Sequence, residues 1–379
     1  MSFKILKQDG RARSGILKVG NRRALTPFFM PLATKGTVKF MSPMDLEEAG
    51  VQAVISNAMI LSFKPGAESI KRMNGIHEFT KWDGIQFTDS GGFQMASPSL
   101  FISINDKAVN FHNPFTKQKI ELTPEKNMEI QLELGSDVAM CLDHMPHPLH
   151  SKKIIVDATR RTSLWAKRCK KHHDELKSKL KSKQLLFGIT QGGLDKKLRK
   201  QSCLDLNKIN FDGFAIGGLG MGETKKQAYE VVDYSEQFLD PKKPRYLMGI
   251  GDPPDILEAI SHGIDCFDSK FPTQNARHAA IFTKKGLLKL DKGRYSEDNR
   301  PLDKDCGCYV CKTFSRAFLR HLWKLNEYTV YHYLTYHNIY FIQNMLKEVR
   351  EAIKEKRFNQ YKRNFLKNYK LKDLKISSK

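Results

Sequence analysis

Two acids in this 379-residue chain stand where apolar runs end. Asp89 closes Ile85-Gln86-Phe87-Thr88 and precedes Ser90-Gly91-Gly92-Phe93-Gln94, and Asp268 closes Ile264 to Phe267. A strand running into Asp-Ser-Gly-Gly delivers a carboxylate to the end of a sheet. It also surrounds that carboxylate with bare backbone, because glycine turns sharply and lets a ligand approach closely. Glycosyl transfer uses such a pair: one carboxylate attacks the anomeric carbon, the other handles the proton. Taken singly, each acid also reads as a helix cap or an ion-pair partner. Asp143 is followed by His144, with His147 and His150 nearby. Those histidines read as solvated loop residues, with a metal cluster as the alternative.

The sharpest local signal is Cys306-Gly307-Cys308-Tyr309-Val310-Cys311. Three thiolates this close are costly to leave unpaired and suit tetrahedral zinc. The fourth ligand is to be sought among His321, His332 and His337, on stretches of helical periodicity. Three thiolates and an imidazole leave no open position, so the expected ion, one Zn2+, is structural. Cys141, Cys169, Cys203 and Cys266 are scattered singly, which suggests a reduced compartment, not a disulfide framework.

These groups need elements to position them. Alternating short apolar strands and helices call for a parallel sheet. The strands are expected at Phe28–Leu32, Val51–Ser56, Ile85–Asp89, Asp137–Leu142, Leu185–Thr190, Phe211–Ile216, Arg245–Met248 and Ile264–Phe267. Eight units favour an irregular (β/α)8 barrel, and Gly217-Gly218-Leu219-Gly220 lacks the spacing of a dinucleotide-binding loop. Ser42-Pro43 and Thr123-Pro124 mark helix starts, and Gly50 and Gly135 mark helix ends. In a barrel, the strand ends carrying Asp89, Asp143, Gln191, Gly218, Gly249 and Asp268 converge on one rim. Carboxylates, an amide and exposed N–H groups there suit a flat, polar heterocycle.

The expected organisation is strands capping the barrel over 1–27, a catalytic barrel over 28–290 with an inserted hairpin at 95–122, a zinc-binding subdomain over 291–345, and a basic helix or tail over 346–379. Basic residues number 64 against 41 acidic, a net charge of +23 that argues for a polyanionic partner, most simply nucleic acid. A solvated lysine-rich surface is the blander reading of the same charge. No apolar secretory segment opens the chain and no run of ~18 apolar residues occurs, so no membrane association and a cytoplasmic location are expected.

Together, Thr88-Asp89-Ser90-Gly91-Gly92-Phe93-Gln94, Gln191-Gly192-Gly193, Gly217-Gly218-Leu219, Tyr246-Leu247-Met248-Gly249-Ile250-Gly251, Phe267-Asp268, the three cysteines and Leu334-Thr335-Tyr336-His337-Asn338 resemble the tRNA-guanine transglycosylase family, the queuine tRNA-ribosyltransferases, in its bacterial form. The resemblance covers nearly the whole chain. It implies a pentosyltransferase that exchanges guanine at the wobble position of tRNAs with a GUN anticodon for a 7-deazaguanine, preQ1 or queuine. It implies Asp268 as nucleophile and Asp89 as proton donor and acceptor. Ser90, Gly91, Gly92, Asp143, Gln191, Gly218 and Leu219 would line the base site, with Phe93 and Met248 on the two faces of the base. Asn57 and Gln94 would support the nucleophile. Gly249, Ile250, Gly251, Asp252, Pro253, Pro254 and Asp255, with Thr273, Gln274, Asn275, Ala276 and Arg277, would contact the tRNA. His337 becomes the fourth zinc ligand, and bacterial relatives imply a homodimer.

The chain departs from the family's usual pattern in three places. Asn57-Ala58-Met59-Ile60-Leu61 replaces Asn-Thr-Tyr-His-Leu, Ser269-Lys270-Phe271-Pro272-Thr273-Gln274 replaces Cys-Val-x-Pro-Thr-Arg, and Met145 stands where bacterial members have Cys. The competing readings are a non-catalytic tRNA-binding barrel or partner subunit, a zinc hydrolase with ligands at the barrel mouth, and an archaeosine-type relative.

Overall fold

The eight barrel strands are Phe28–Pro31, Ala53–Asn57, Ile85–Asp89, Val138–Met140, Leu185–Thr190, Gly213–Ile216, Arg245–Leu247 and Cys266–Ser269. The computed structural model describes residues 2–92, 97, 99–147 and 150–369. From the second strand on, each pairs in parallel with the next one in the chain, and the eighth pairs with the first. One isolated bridge, Leu32 with Ile55, joins the first strand to the second and completes the ring. This is the closed parallel barrel expected from the strand count.

The interior explains why these short strands hold together. Phe28, Phe87, Phe187 and Tyr246 come from the first, third, fifth and seventh strands, and all are fully buried. The Phe87 ring lies 6.2 Å from Phe28, 5.7 Å from Phe187 and 6.2 Å from Tyr246. Four side chains from alternate strands form one layer of a packed barrel core, and here the layer is wholly aromatic. Gly213 makes room for it, since a Cβ there would stand 2.5 Å from the Phe187 ring. Tyr246 alone in this layer carries a polar tip.

Helix starts follow the local chemistry. Ser42 caps Pro43–Glu48 in a reciprocal pair with Asp45, and Thr123 caps Pro124–Leu134, which Gly135 ends at φ 71°. Residues Phe3–Asp9, Ala12–Val19 and Arg22–Thr26 form a three-stranded antiparallel sheet. Arg13 on that sheet reaches buried Asp265, at the base of the eighth strand, through Nε at 2.9 Å and Nη2 at 2.5 Å.

The insertion differs from a hairpin. It is a three-stranded antiparallel sheet, Phe101–Ile104, Val109–His112 and Lys119–Leu122. The turn carrying Asp106 is held by helix Lys152–Leu180: Arg160 and Arg161 bind its carboxylate, and Trp165 and Arg168 bind its carbonyl at 2.8 Å. At the other end of the chain, helix Tyr328–Lys354 runs unbroken through residue 346, because a continuous apolar face from Leu334 to Ile353 packs inward. Its Asn338 Oδ1 accepts the Phe282 N–H at 3.0 Å, while Nδ2 donates to the carbonyls of Pro272 and Ala280. Gln343 and Arg350 donate to the Phe29 and Pro27 carbonyls of the first strand. A shorter helix, Phe358–Asn368, follows; positions 370–379 of the expected basic tail lie outside the described residues. Among the described residues no helix is long and apolar enough to cross a membrane.

Candidate active site

Asp268 lies in the eighth strand, at its carboxyl end. Its side chain is buried, and Oδ1 accepts two hydrogen bonds, from the Tyr246 hydroxyl at 2.5 Å and from the Gly249 N–H at 2.8 Å. Burial raises its proton affinity above the usual carboxylate range, and these two donors pull it back. The Gly249 turn is itself held by Ser269, whose hydroxyl donates to the Gly249 carbonyl at 3.2 Å. Gly251 packs so closely on Ser269 that a Cβ there would stand 2.5 Å from that residue's own Cβ.

Asp89 ends the third strand. In the parallel register it lies beside Asn57, whose Nδ2 donates to Asp89 Oδ2 at 3.3 Å while its Oδ1 caps the next helix through the Ile60 N–H. Gly91 N–H donates to Asp89 Oδ1 at 3.0 Å. Gly91 holds φ 74°, and a Cβ there would fall 2.3 Å from Met59 Cγ. Phe93 and Gln94 lie outside the described residues. Tyr246 connects the two acids electrostatically: its phenol is pushed far up by burial first, then by Asp268, and also by Asp89.

Asp143, just past the fourth strand, accepts a hydrogen bond from Gln191 Nε2 at 2.7 Å. Burial pushes its carboxyl up to about 6, against the Gln191 hydrogen bond. Gln191 is fully buried at the end of the fifth strand, its N–H on Ser202 Oγ at 3.0 Å, and its Oε1 has no partner. Gly218, at φ 70°, lies against that amide: a Cβ there would be 2.5 Å from Gln191 Oε1. Leu219 is buried and Met248 half-buried on the same rim. His144 is not a solvated loop residue. It is half-buried, its Nδ1 faces Arg161 Nη1 at 2.9 Å, and burial followed by that charge brings it down to about 4.

The residues expected at the tRNA divide. Gly249 is exposed, and Ile250, Gln274, Asn275 and Arg277 keep partial exposure. Pro253, Pro254, Thr273 and Ala276 are buried and present no side chain to a docking RNA. Lys225 Nζ bridges Asp252 and Asp255 at 2.7 and 2.8 Å, and Tyr229 also binds Asp255, so these acids pin the helix Pro253–Ser261 to its neighbour.

Away from the rim, the ligand atoms of Cys306, Cys308, Cys311 and His337 all lie within 4.8 Å of one another. The three sulfurs stand 3.8, 3.5 and 3.3 Å from His337 Nδ1. A tetrahedral ion with bonds of ~2.3 Å to sulfur and ~2.0 Å to nitrogen would set such neighbours ~3.5 Å apart, so the donor set fits a metal ion of zinc's size and softness. His337 Nε2 lies 2.8 Å from the Phe282 carbonyl, which holds the proton there and turns Nδ1 to the cluster. His332 is spent on Tyr309 and the Phe40 carbonyl, and His321 is exposed. Among the described residues no other group of three or more such side chains converges.

Three residues escaped the sequence reading. Tyr246 looks like strand core until one asks where a buried hydroxyl finds its acceptor. Arg199 shares its helix face with Cys203 and Leu206, the one cue that it points inward. Glu223 accepts the N–H groups of Gly220 and Met221 and holds the loop after the sixth strand.

A closed parallel barrel with carboxylates, a buried amide and glycine turns at the carboxyl ends of its strands has the architecture of the (β/α)8 enzyme class. A family model described as queuine tRNA-ribosyltransferase matches residues 8–371. The chain is 42% identical over 371 residues to the queuine tRNA-ribosyltransferase of Fusobacterium nucleatum, covering 97% of this chain and 98% of that protein. It is 40% identical over 371 residues to the protein of that name from Francisella tularensis subsp. tularensis, covering 98% and 99%. The chain belongs to the queuine tRNA-ribosyltransferase family and is a pentosyltransferase.

Proposed function

We propose that this protein exchanges guanine at the wobble position of GUN-anticodon tRNAs for a 7-deazaguanine, preQ1 or queuine, through a covalent tRNA intermediate. The observation that carries the reading is that Asp89 and Asp268 both stand at the carboxyl ends of strands of one parallel barrel, with Tyr246, hydrogen-bonded to Asp268, packed against Phe87 on the strand of Asp89.

The bond changes follow from the two carboxylates. Asp268 attacks C1′ of the ribose; the C1′–O bond forms, the glycosidic C–N bond breaks, and its electron pair leaves with guanine, which takes a proton from Asp89. The incoming base gives its ring N–H proton to Asp89 and attacks C1′, releasing the Asp268 carboxylate. Two displacements at one carbon retain configuration and give ping-pong kinetics. Asn57 and Gly91 hold Asp89, and Gly249 and Tyr246 hold Asp268. Asp143, Gln191 and the Gly218 N–H take the edge of the base, Ser90, Gly91, Gly92 and Leu219 line its cradle, and Met248 covers one of its faces. A base in an anticodon loop must be splayed out to reach such a pocket.

The tRNA contacts are Gly249, Ile250, Gln274, Asn275 and Arg277, and the net charge of +23 steers the polyanion to them. Cys306, Cys308, Cys311 and His337 hold one structural zinc ion. An aromatic patch of Phe40, Tyr328 and Tyr331, with exposed Met44 on helix Pro43–Glu48, supports a homodimer: the Tyr331 ring is 5.3 Å from Phe40 and 6.3 Å from Tyr328, and Met44 and Tyr328 are mostly exposed. The protein acts in the cytoplasm, where its tRNA substrates are.

The test is incorporation of radiolabelled guanine into cognate tRNA, with trapping of the covalent adduct. Wild-type protein should exchange guanine, and Asp268→Asn should form no adduct. Absence of exchange by the wild type would favour a non-catalytic tRNA-binding role, and an adduct on Asp268→Asn would remove that residue from the chemistry.

A further inference from the structure

We infer that Arg199 is a positioning residue for base recognition: by holding the carbonyl of Gly217 it turns the N–H of Gly218 toward the pocket, where it meets a ring carbonyl of the base. This rests on the base site proposed above.

Arg199 projects from helix Lys196–Asn207 and is fully buried. Its Nε donates to the Gly193 carbonyl at 2.7 Å, and its Nη1 donates to Gly217 at 2.8 Å and more weakly to Thr190 at 3.4 Å. One guanidinium thus ties together the turns that follow the fifth and sixth strands. The peptide joining Gly217 to Gly218 is a trans plane, in which the carbonyl and the N–H point in opposite directions. Fixing the carbonyl on Arg199 therefore fixes the N–H on the side away from that helix, toward the barrel mouth. Gly218 needs such a restraint, because a glycine at φ 70° chooses among backbone conformations at little cost. Its N–H meets no acceptor among the described residues.

A guanidinium employed only to satisfy strand-end carbonyls would be expected to bring a carboxylate with it, since a buried charge is costly unpaired. Among the described residues no carboxylate hydrogen-bonds or ion-pairs with Arg199, and Glu223 acts on it only at longer range. Arg199 Nη2 has no partner, nor does Gln191 Oε1, and the two atoms lie 3.6 and 2.5 Å from where a Gly218 Cβ would stand. Burial pulls Arg199 down to about 10, so it keeps its charge at neutral pH. That charge polarises the Gly217–Gly218 peptide, strengthening the N–H as a donor. As the glycosidic electron pair enters the leaving base, its ring carbonyl gains negative charge at the atom this donor faces.

The test compares dissociation constants of guanine and 2-aminopurine, which lacks the ring carbonyl, for the full chain, Arg199→Met and Arg199→Lys, with thermal unfolding followed in parallel. The Met variant should weaken guanine about tenfold, the scale of one well-placed hydrogen bond, and leave 2-aminopurine within twofold. The Lys variant should fall between, because an ammonium can hold one carbonyl but not the fork. Equal losses for the two bases, or none for guanine, would overturn the inference. If the Met variant fails to fold, the Lys variant decides by the same guanine-to-2-aminopurine comparison. A wild-type protein with no preference for guanine over 2-aminopurine would overturn the base site itself, a result distinct from a wild-type preference that Arg199 variants leave unchanged.

Discussion

The Tyr246 hydroxyl donates to Asp268 Oδ1 at 2.5 Å from within the aromatic layer that fills the barrel. The proposed nucleophile is thereby anchored to a fully buried, ring-packed layer of the barrel core. Removing that bond in Tyr246→Phe leaves burial less opposed, so Asp268 holds its proton more tightly. The acid limb of the guanine-exchange profile should move up by ~1 pH unit, equivalent to ~1.4 kcal/mol, with the rate loss largest below neutrality. A pH–rate series on both proteins checks this, and an unmoved acid limb would count against it.

The same burial has a stability consequence. The folded-state pKa of Asp268 is raised above its unfolded value, so the native state binds more protons between the two values. Stability from this group is therefore lost as pH rises through that window, and the ionised carboxylate opposes folding at neutral pH. Asp268→Asn should be inactive yet melt at a higher temperature than the wild type at pH 7, with the gap closing below pH 4. Calorimetry across pH measures it.

Asp143 titrates at about 6. The edge of guanine offers N–H donors, so the ionised carboxylate is the form that binds it. Guanine affinity should be flat above pH 7 and fall toward tenfold per unit below pH 6, a profile that Asp143→Asn should flatten and weaken. Calorimetric titrations from pH 5 to 8 report both. A wild-type affinity independent of pH would exclude Asp143 as the acceptor.

Metal removal should act on stability before chemistry. Cys311→Ser should lose the bound zinc, one per chain by mass spectrometry in the wild type, and the melting temperature should drop by several degrees. Asn338, next to ligand His337, fixes helix Tyr328–Lys354 to Pro272, Ala280 and Phe282, so the damage should spread to the barrel rim. Hydrogen exchange in residues 271–283 should quicken together with that helix.

The apolar patch makes a simple prediction about assembly. Tyr328→Lys or Met44→Lys, each on a mostly exposed side chain, should convert a sedimenting dimer to a monomer without unfolding it. A wild type that sediments as a monomer at micromolar concentration would dispose of the dimer.

The barrel was readable because the parallel strands are short apolar runs, six of which stop at or just before an Asp, Gln or Gly, and burial on both faces forces the apolar pattern. The thiol cluster was readable because its spacing is local. The third strand of the insertion was not: Lys119-Ile120-Glu121-Leu122 is half charged, and only pairing with Val109–His112 makes it a strand. Arg199 stands in Lys196-Lys197-Leu198-Arg199-Lys200, where charge density suggests a solvated face. Its inward turn is decided by carbonyls of Gly193 and Gly217, which no pattern within its own helix encodes. The bridging of Asp252 and Asp255 by Lys225, a residue on another helix, likewise has no signal in the local sequence.

The C-terminal helix that covers the first strand has a consequence for biosynthesis. Pro27 and Phe29 are made more than 300 positions before the side chains that satisfy their carbonyls, Arg350 and Gln343. The strand at the seam thus waits through translation of more than 300 intervening positions, and the nascent barrel stays open at its seam until that helix has emerged.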